Sequence, residues 1–131
     1  MFAESGVAQN VLDAIEQPFA DWLRPRLQSG EYFGFVAEET GAVVAGVGLR
    51  LLDWPAHPLH PHSGQRGYML NVFVEPAHRG KGLAKTLILR AEEEFRARGI
   101  EFATLHASSM GRPVYEGLDW VATAEMGKWL A

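Results

Sequence analysis

The stretch His78-Arg79-Gly80-Lys81-Gly82-Leu83-Ala84-Lys85-Thr86 puts two glycines and three cations (Arg79, Lys81 and Lys85) into nine residues. It follows an apolar run, Tyr68 to Val74, and precedes a helical pattern. Such a loop suits phosphate: glycine lets the backbone come close, and the unsatisfied N–H groups and dipole of a helix start favour an anion. Three phosphate chemistries compete. A triphosphate loop needs G-x-x-x-x-G-K-[ST], but Arg79 and Ala84 stand where its glycines belong, which makes Thr86 a poor magnesium ligand. A dinucleotide loop needs G-x-G-x-x-G, but Lys85 stands at the third glycine, and no acidic residue ends a second strand at the expected distance. The third reading is R-x-x-G-x-A, formed by Arg79, Gly82 and Ala84. Its small residues admit a coenzyme A pyrophosphate, and Arg79, Lys81 and Lys85 add charge. A glycine-rich turn without a ligand is the alternative to all three.

The elements that must position this loop follow from periodicity. Val7 to Gln28 carries apolar residues at three- and four-residue spacing, interrupted by Pro18 and Pro25, which predicts two short helices. Residues 31–52 predict a β-hairpin with its turn at Glu39–Gly41, and four glycines there (34, 41, 46, 48) predict a turn plus close approaches or bulges. Residues 53–67, with three prolines, predict a loop. The apolar run 68–76 predicts a central strand covered on both faces. From Gly82 to Arg98 the stripe Leu83, Leu87, Ala91, Phe95 predicts a helix closed by Gly99. Residues 100–107 predict a further strand, 112–118 a short helix with Pro113 in its first turn, and 120–131 two short strands around a turn. Strand, helix and strand over 68–107 imply parallel neighbours joined by a right-handed crossover, and the hairpin adds antiparallel pairs. The predicted class is α+β with a mixed sheet.

Composition narrows the function. A chain of 131 residues is one domain's length, expected to be a single domain over 1–131. It has no cysteine, so thiolate metal sites and cysteine nucleophiles are excluded. A net charge of −4 argues against nucleic-acid binding by phosphate neutralisation. No apolar stretch reaches a membrane span, and "MFAESGVAQN" lacks a signal-peptide layout, so no membrane partner and a cytoplasmic location are expected.

"YMLNVFVEPAHRGKGLAKTLI", with "LHASSMGRPVYEGLDW" after it, resembles the two signature regions of the GNAT superfamily of acyl-CoA-dependent N-acyltransferases. The resemblance covers about 68 to 130 well and the hairpin 32–52 more loosely. It implies a mixed, mostly antiparallel sheet with a central strand–helix–strand crossover. It implies acetyl-CoA as cosubstrate and no metal, with Arg79, Gly80, Lys81, Gly82, Leu83, Ala84 and Lys85 around the pyrophosphate. The backbone of Val72, Phe73 and Val74 would hold the pantetheine arm on a bulged, splayed strand, and Tyr115 would protonate the leaving thiolate. The family opens on a strand, whereas this chain begins inside the helical segment, so that first strand is expected to be absent. Leu118-Asp119-Trp120 replaces the family's Leu-Gly-Phe turn; aspartate tolerates the left-handed conformation needed there.

Other candidates carry two readings each. Ser108 and Ser109 precede the short helix; one caps it, touches the pantetheine, or does both. Glu38, Glu39 and Glu75 read as solvated carboxylates, and Asn71 cannot take a proton, so the base is expected to be ordered water, or the amine arrives free. His57, His60 and His62 alternate with prolines and read as loop composition rather than a metal set. Trp22, Trp54, Trp120 and Trp129 read as packing residues, with Trp54 a candidate for the acceptor entrance.

The expected activity is acetyl transfer to a small-molecule or peptide amine in a ternary complex. A non-catalytic acyl-CoA-binding module and a dinucleotide-dependent oxidoreductase are the alternatives. With no strand before it, the strand near Tyr32–Glu38 is expected at a sheet edge, there to pair with a second copy as a homodimer or lie under the N-terminal helices.

Overall fold

The computed structural model describes residues 9–131. The elements run α1 (Gln9–Ser29), β1 (Tyr32–Glu39), β2 (Ala42–Asp53), β3 (Gln65–Val74), a 3-10 turn (Pro76–His78), α2 (Leu83–Ala97), β4 (Ala103–Leu105) and α3 (Arg112–Gly117). The four strands form one sheet in the order β1-β2-β3-β4, with antiparallel pairs at β1–β2 and β2–β3 and a parallel pair at β3–β4. This is the α+β mixed sheet with a strand–helix–strand crossover, and β1 stands at its edge.

The hairpin turns where expected, with Thr40 and Gly41 both at positive φ (50° and 82°), the demand of a two-residue turn matched to strand twist. On one face of the sheet, Phe33, Phe35, Ala37, Ala45, Val47, Leu49 and Met69 meet Leu87, Ile88, Ala91 and Phe95 of α2. Arg98 and Arg90 lay their guanidiniums over Phe33 and Phe35 and so cover the rim of this core. On the other face Tyr32 lies across Gly48, where a Cβ would come within 1.7 Å of its hydroxyl oxygen; only glycine leaves that slot. Trp22 of α1 packs edge-on to Tyr32, ring centroids 6.0 Å apart.

Several expectations are corrected. Pro18 and Pro25 lie inside one helix of 21 residues rather than dividing it in two. The prolines are seven apart, hence on one face of the helix, and both are exposed. The carbonyls they free, on Ala14 and Asp21, belong to exposed residues that water can satisfy. Val7, the expected start, lies outside the described residues. The 53–67 loop is shorter than its composition implied, because β2 runs to Asp53 and β3 begins at Gln65. What is left is pinned rather than loose: Trp54 donates its N–H to the Gly64 carbonyl, and His60 at its centre is fully buried. The strand buried on both faces is β2, from Val44 to Leu49, while β3 is only partly covered. The strand expected over 100–107 shrinks to Ala103–Leu105, and residues 120–131 form no strand. Trp120 still packs on the core, but the large apolar side chains after it are exposed; Trp129 is 91% exposed and is not a packing residue. No helix among the described residues is long and apolar enough to cross a membrane.

Candidate active site

The site is created by one irregularity in β3. Gly46 of β2 faces Phe73 and Gly48 faces Leu70, so Asn71 and Val72 together oppose Val47. Asn71 takes a left-handed conformation, φ 58°, which asparagine tolerates better than most residues. The extra residue changes which side chains point inward. Gly67 and Met69 face α2 before the bulge, whereas Val72 and Val74 pack on that core after it.

The bulge also aims backbone groups. Glu75 donates its N–H to the Val44 carbonyl at 2.8 Å, so by alternation Phe73 faces β2 as well. Val72 and Val74 then turn their N–H and C=O groups away from β2. On that side β4 pairs with β3 only at Gly67, Tyr68 and Met69, so the two strands part beyond Met69. Arg79 spans part of the gap, its Nε donating to the Val74 carbonyl at 3.3 Å.

A cleft of about 500 Å³ fills this opening. Val72, Phe73, Val74, Arg79, Gly80, Gly82, Leu83, Ala84, Lys85, Ser108 and Tyr115 all border it, so the sequence candidates converge on one cavity from four separate segments. Lys81 is the exception. Its Nζ lies 3.3 Å from His78 Nδ1, which pairs with Glu39 at 2.9 Å, and this draws Lys81 to the outside of the loop. Gly82 is the residue before α2, at φ 77°, and α2 has neither a side-chain cap nor an acidic residue in its first turn. Its first N–H groups therefore meet the cleft without an internal acceptor, and Lys85 adds a cation. These are donors of the kind a pyrophosphate takes.

Tyr115, on α3, is 9% exposed, with its ring edge-on to Trp120 at 6.3 Å. Burial raises its hydroxyl above the ordinary tyrosine value, so at neutral pH it carries a proton to give. It walls the 500 Å³ cleft and also a larger one, about 850 Å³, between β4, α3 and residues 118–127. The larger cavity contains none of the phosphate-loop residues, so size does not choose between them. Ser108 accepts the Gly111 N–H at 3.0 Å, which organises the turn into α3, and it borders the cleft as well. The turn after α3 holds as expected: Asp119 sits at φ 69°, and the Trp120 N–H returns to the Tyr115 carbonyl at 3.0 Å.

The remaining candidates lie elsewhere. Glu38, Glu39 and Glu75 are exposed and border neither cleft. The three histidines point to three different partners. His57 Nδ1 accepts the Leu59 N–H, and His62 pairs with Glu101 at 3.5 Å. His60 Nδ1 faces the Ser63 carbonyl at 3.1 Å and Nε2 faces Arg66, so its proton sits on Nδ1. Trp54 packs under Arg66, 4.4 Å from its ring centroid, and borders neither cleft, so it does not line an acceptor entrance there. Among the described residues, no group of three or more histidines and carboxylates is placed to hold a metal ion.

One array escaped the sequence reading. His106, at the end of β4 and bordering both clefts, meets the Tyr68 hydroxyl through Nδ1 and lies 3.4 Å from Glu125 through Nε2. Burial, and then the charge of Glu125, raise the Tyr68 hydroxyl above its ordinary value. The only sequence signal was a histidine directly after a strand; its partners are set by pairing between β3 and β4.

This architecture has counterparts. A family model described as "Acetyltransferase (GNAT) family" matches residues 6–116. The chain belongs to the GNAT family. A GCN5-related N-acetyltransferase from Ralstonia eutropha JMP134 is 51% identical, with TM-score 0.96 over 99% of this chain and 85% of that one. A predicted acetyltransferase from Clostridium acetobutylicum, solved with acetyl-CoA, is 26% identical, with TM-score 0.88 over 98% of this chain and 81% of that one. A glucosamine 6-phosphate N-acetyltransferase from Trypanosoma brucei brucei is 32% identical over 89 residues, 67% of this chain and 57% of its own length. The chain spans less than two thirds of the length of the curated relatives it matches.

Proposed function

We propose that the chain is an N-acetyltransferase that moves an acetyl group from acetyl-CoA to a primary amine on a small molecule or peptide, by direct attack with both bound. The observation that carries this reading is the cavity where the β3–β4 splay, the uncapped start of α2 and the Tyr115 wall meet. Acetyl-CoA supplies an acyl group already activated as a thioester. The α2 N-terminus, with Arg79 and Lys85, holds the pyrophosphate; the N–H groups of Val72 and Val74 hold the pantetheine arm in place of a further strand. The amine nitrogen forms a bond to the carbonyl carbon, the C–S bond breaks, and Tyr115 gives its proton to the departing sulfur. The proton lost by the amine passes to the Tyr68 hydroxyl, which gives its own to His106 Nδ1, while Nε2 faces Glu125.

Calorimetry with acetyl-CoA tests the binding half. The wild type is expected to bind, and Gly82→Val to bind at least about 10-fold more weakly. A Cβ at Gly82 meets no protein atom within 4 Å, so the main cost in the fold is left-handed strain, at least about 1–2 kcal/mol for a β-branched residue. Absence of binding by the wild type at millimolar acetyl-CoA rejects the reading.

A further inference from the structure

The face of the sheet away from α2 carries a second, basic constellation. Tyr32, Arg50 and Tyr68 stand directly opposite one another on β1, β2 and β3. Trp22 of α1 closes over them with two guanidiniums against its ring, Arg26 at 4.5 Å and Arg50 at 5.1 Å from the centroid. The Nε atoms of both arginines are buried without a hydrogen-bond partner. Arg90, Arg96, Arg98 and Arg112 each hold a glutamate, whereas Arg26 and Arg50 form no ion pair with any described residue. In a chain with 16 acidic and 12 basic residues, carboxylates are in surplus, yet none of those described lies within ion-pair distance of either guanidinium. Arg26 donates through Nη1 to the Trp22 carbonyl at 2.7 Å, whereas the Arg50 guanidinium has no such partner among the described residues, so an oxyanion would meet its donors.

The position gives that anion a purpose. Tyr32, two centroids' packing from Arg50 through Trp22, accepts a hydrogen bond from Asn71 Nδ2 at 2.9 Å, and Asn71 borders the acetyl-CoA cleft at the bulge. Arg50 faces Tyr68, three residues before Asn71 and so about 10 Å along β3. An amine at the splay and an anion at Arg50 can thus belong to one small molecule. We infer that the acceptor is an anionic amine, bearing a carboxylate or a phosphate monoester, and that Arg50 binds that oxyanion. This rests on the acetyltransferase reading for the purpose of the site, though not for the existence of the anion site.

Two measurements test it. In the first, tryptophan fluorescence is titrated with inorganic phosphate and with sodium acetate, using wild type, Arg50→Gln and Arg50→Lys. A saturable response is expected in wild type, with affinity lower by on the order of 10- to 100-fold in Arg50→Gln and partly recovered in Arg50→Lys, the range of a lost charge-assisted hydrogen bond. Which salt binds more tightly distinguishes phosphate from carboxylate. No saturable response to either salt overturns the inference, even if acetyl-CoA binds; conversely, failure of acetyl-CoA to bind in calorimetry rejects the proposed function and leaves this result standing. The second measures acetyl-CoA-dependent thiol release with matched acceptors, L-phenylalanine against its amide and glucosamine 6-phosphate against glucosamine. One anionic member is expected to exceed its neutral partner in kcat/KM, and Arg50→Gln to erase that preference through KM. Equal losses for charged and neutral acceptors, or a change in melting temperature alone, would make Arg50 a packing residue over Trp22 and overturn the inference.

Discussion

Tyr115 is the residue whose chemistry can be isolated by the loss of one oxygen atom. Tyr115→Phe keeps the ring against Trp120 and removes only the proton donor. Acetyl-CoA affinity should change little while kcat falls by on the order of 10²-fold, the low end for general acid catalysis; calorimetry beside steady-state rates separates the two. Because burial raises this hydroxyl, the acid form persists through neutral pH and past pH 10.0, so the wild-type rate should show no loss from this group until that value is exceeded. Wild-type turnover by the mutant would return Tyr115 to the core as an ordinary aromatic. The loop at 78–86 was legible as a candidate without a structure because its information is local: glycines, cations and a helical stripe lie within twenty-odd residues of one another. Arg50 and His106 were not readable, because each acquires meaning only from a neighbour across a strand, Tyr32 and Tyr68 for one, Tyr68 for the other.

At the scale of the element, β3 carries most of the design. Read as sequence, Tyr68 to Val74 is an almost unbroken apolar run, and such a run conceals which residues face which side. Asn71 cannot take a proton and so is no base; its contribution is its backbone, at φ 58°, and an amide that donates to the Tyr32 hydroxyl. Asn71→Val should therefore destabilise the fold by about 2–3 kcal/mol, from a β-branched residue forced into the left-handed region and a lost hydrogen bond. Chemical denaturation measures that loss. Asn71→Gly, which removes only the hydrogen bond, should cost less, and the reverse order would mean that the bulge does not depend on this conformation. The helix α1 teaches the opposite lesson about local signals: proline is a helix breaker by rule, yet two of them share an exposed face and the helix runs on.

For the molecule as a whole, three tyrosines tie stability to alkaline pH. Tyr32, Tyr68 and Tyr115 are all raised from 10.0, in each case first by burial. Above pH 10.0 the unfolded chain gives up these protons before the folded one, so the folded state holds more protons and stability falls as pH rises. Urea midpoints should therefore be insensitive to these groups below pH 10 and decline above it. Tyr115→Phe should make the decline shallower, which the same titration of midpoints would show. The bulge at Asn71 has a further consequence for how this chain tolerates change. It acts on β3 as a frameshift acts on a message: the same alternating code faces the core in one phase up to Met69 and in the other from Val72 onward. Substitutions within either half leave the phase alone, whereas gaining or losing a single residue between Gln65 and Val74 would exchange inside for outside along everything downstream. In the divergence of such a chain, length in this one strand should be guarded more closely than the identity of most of its side chains.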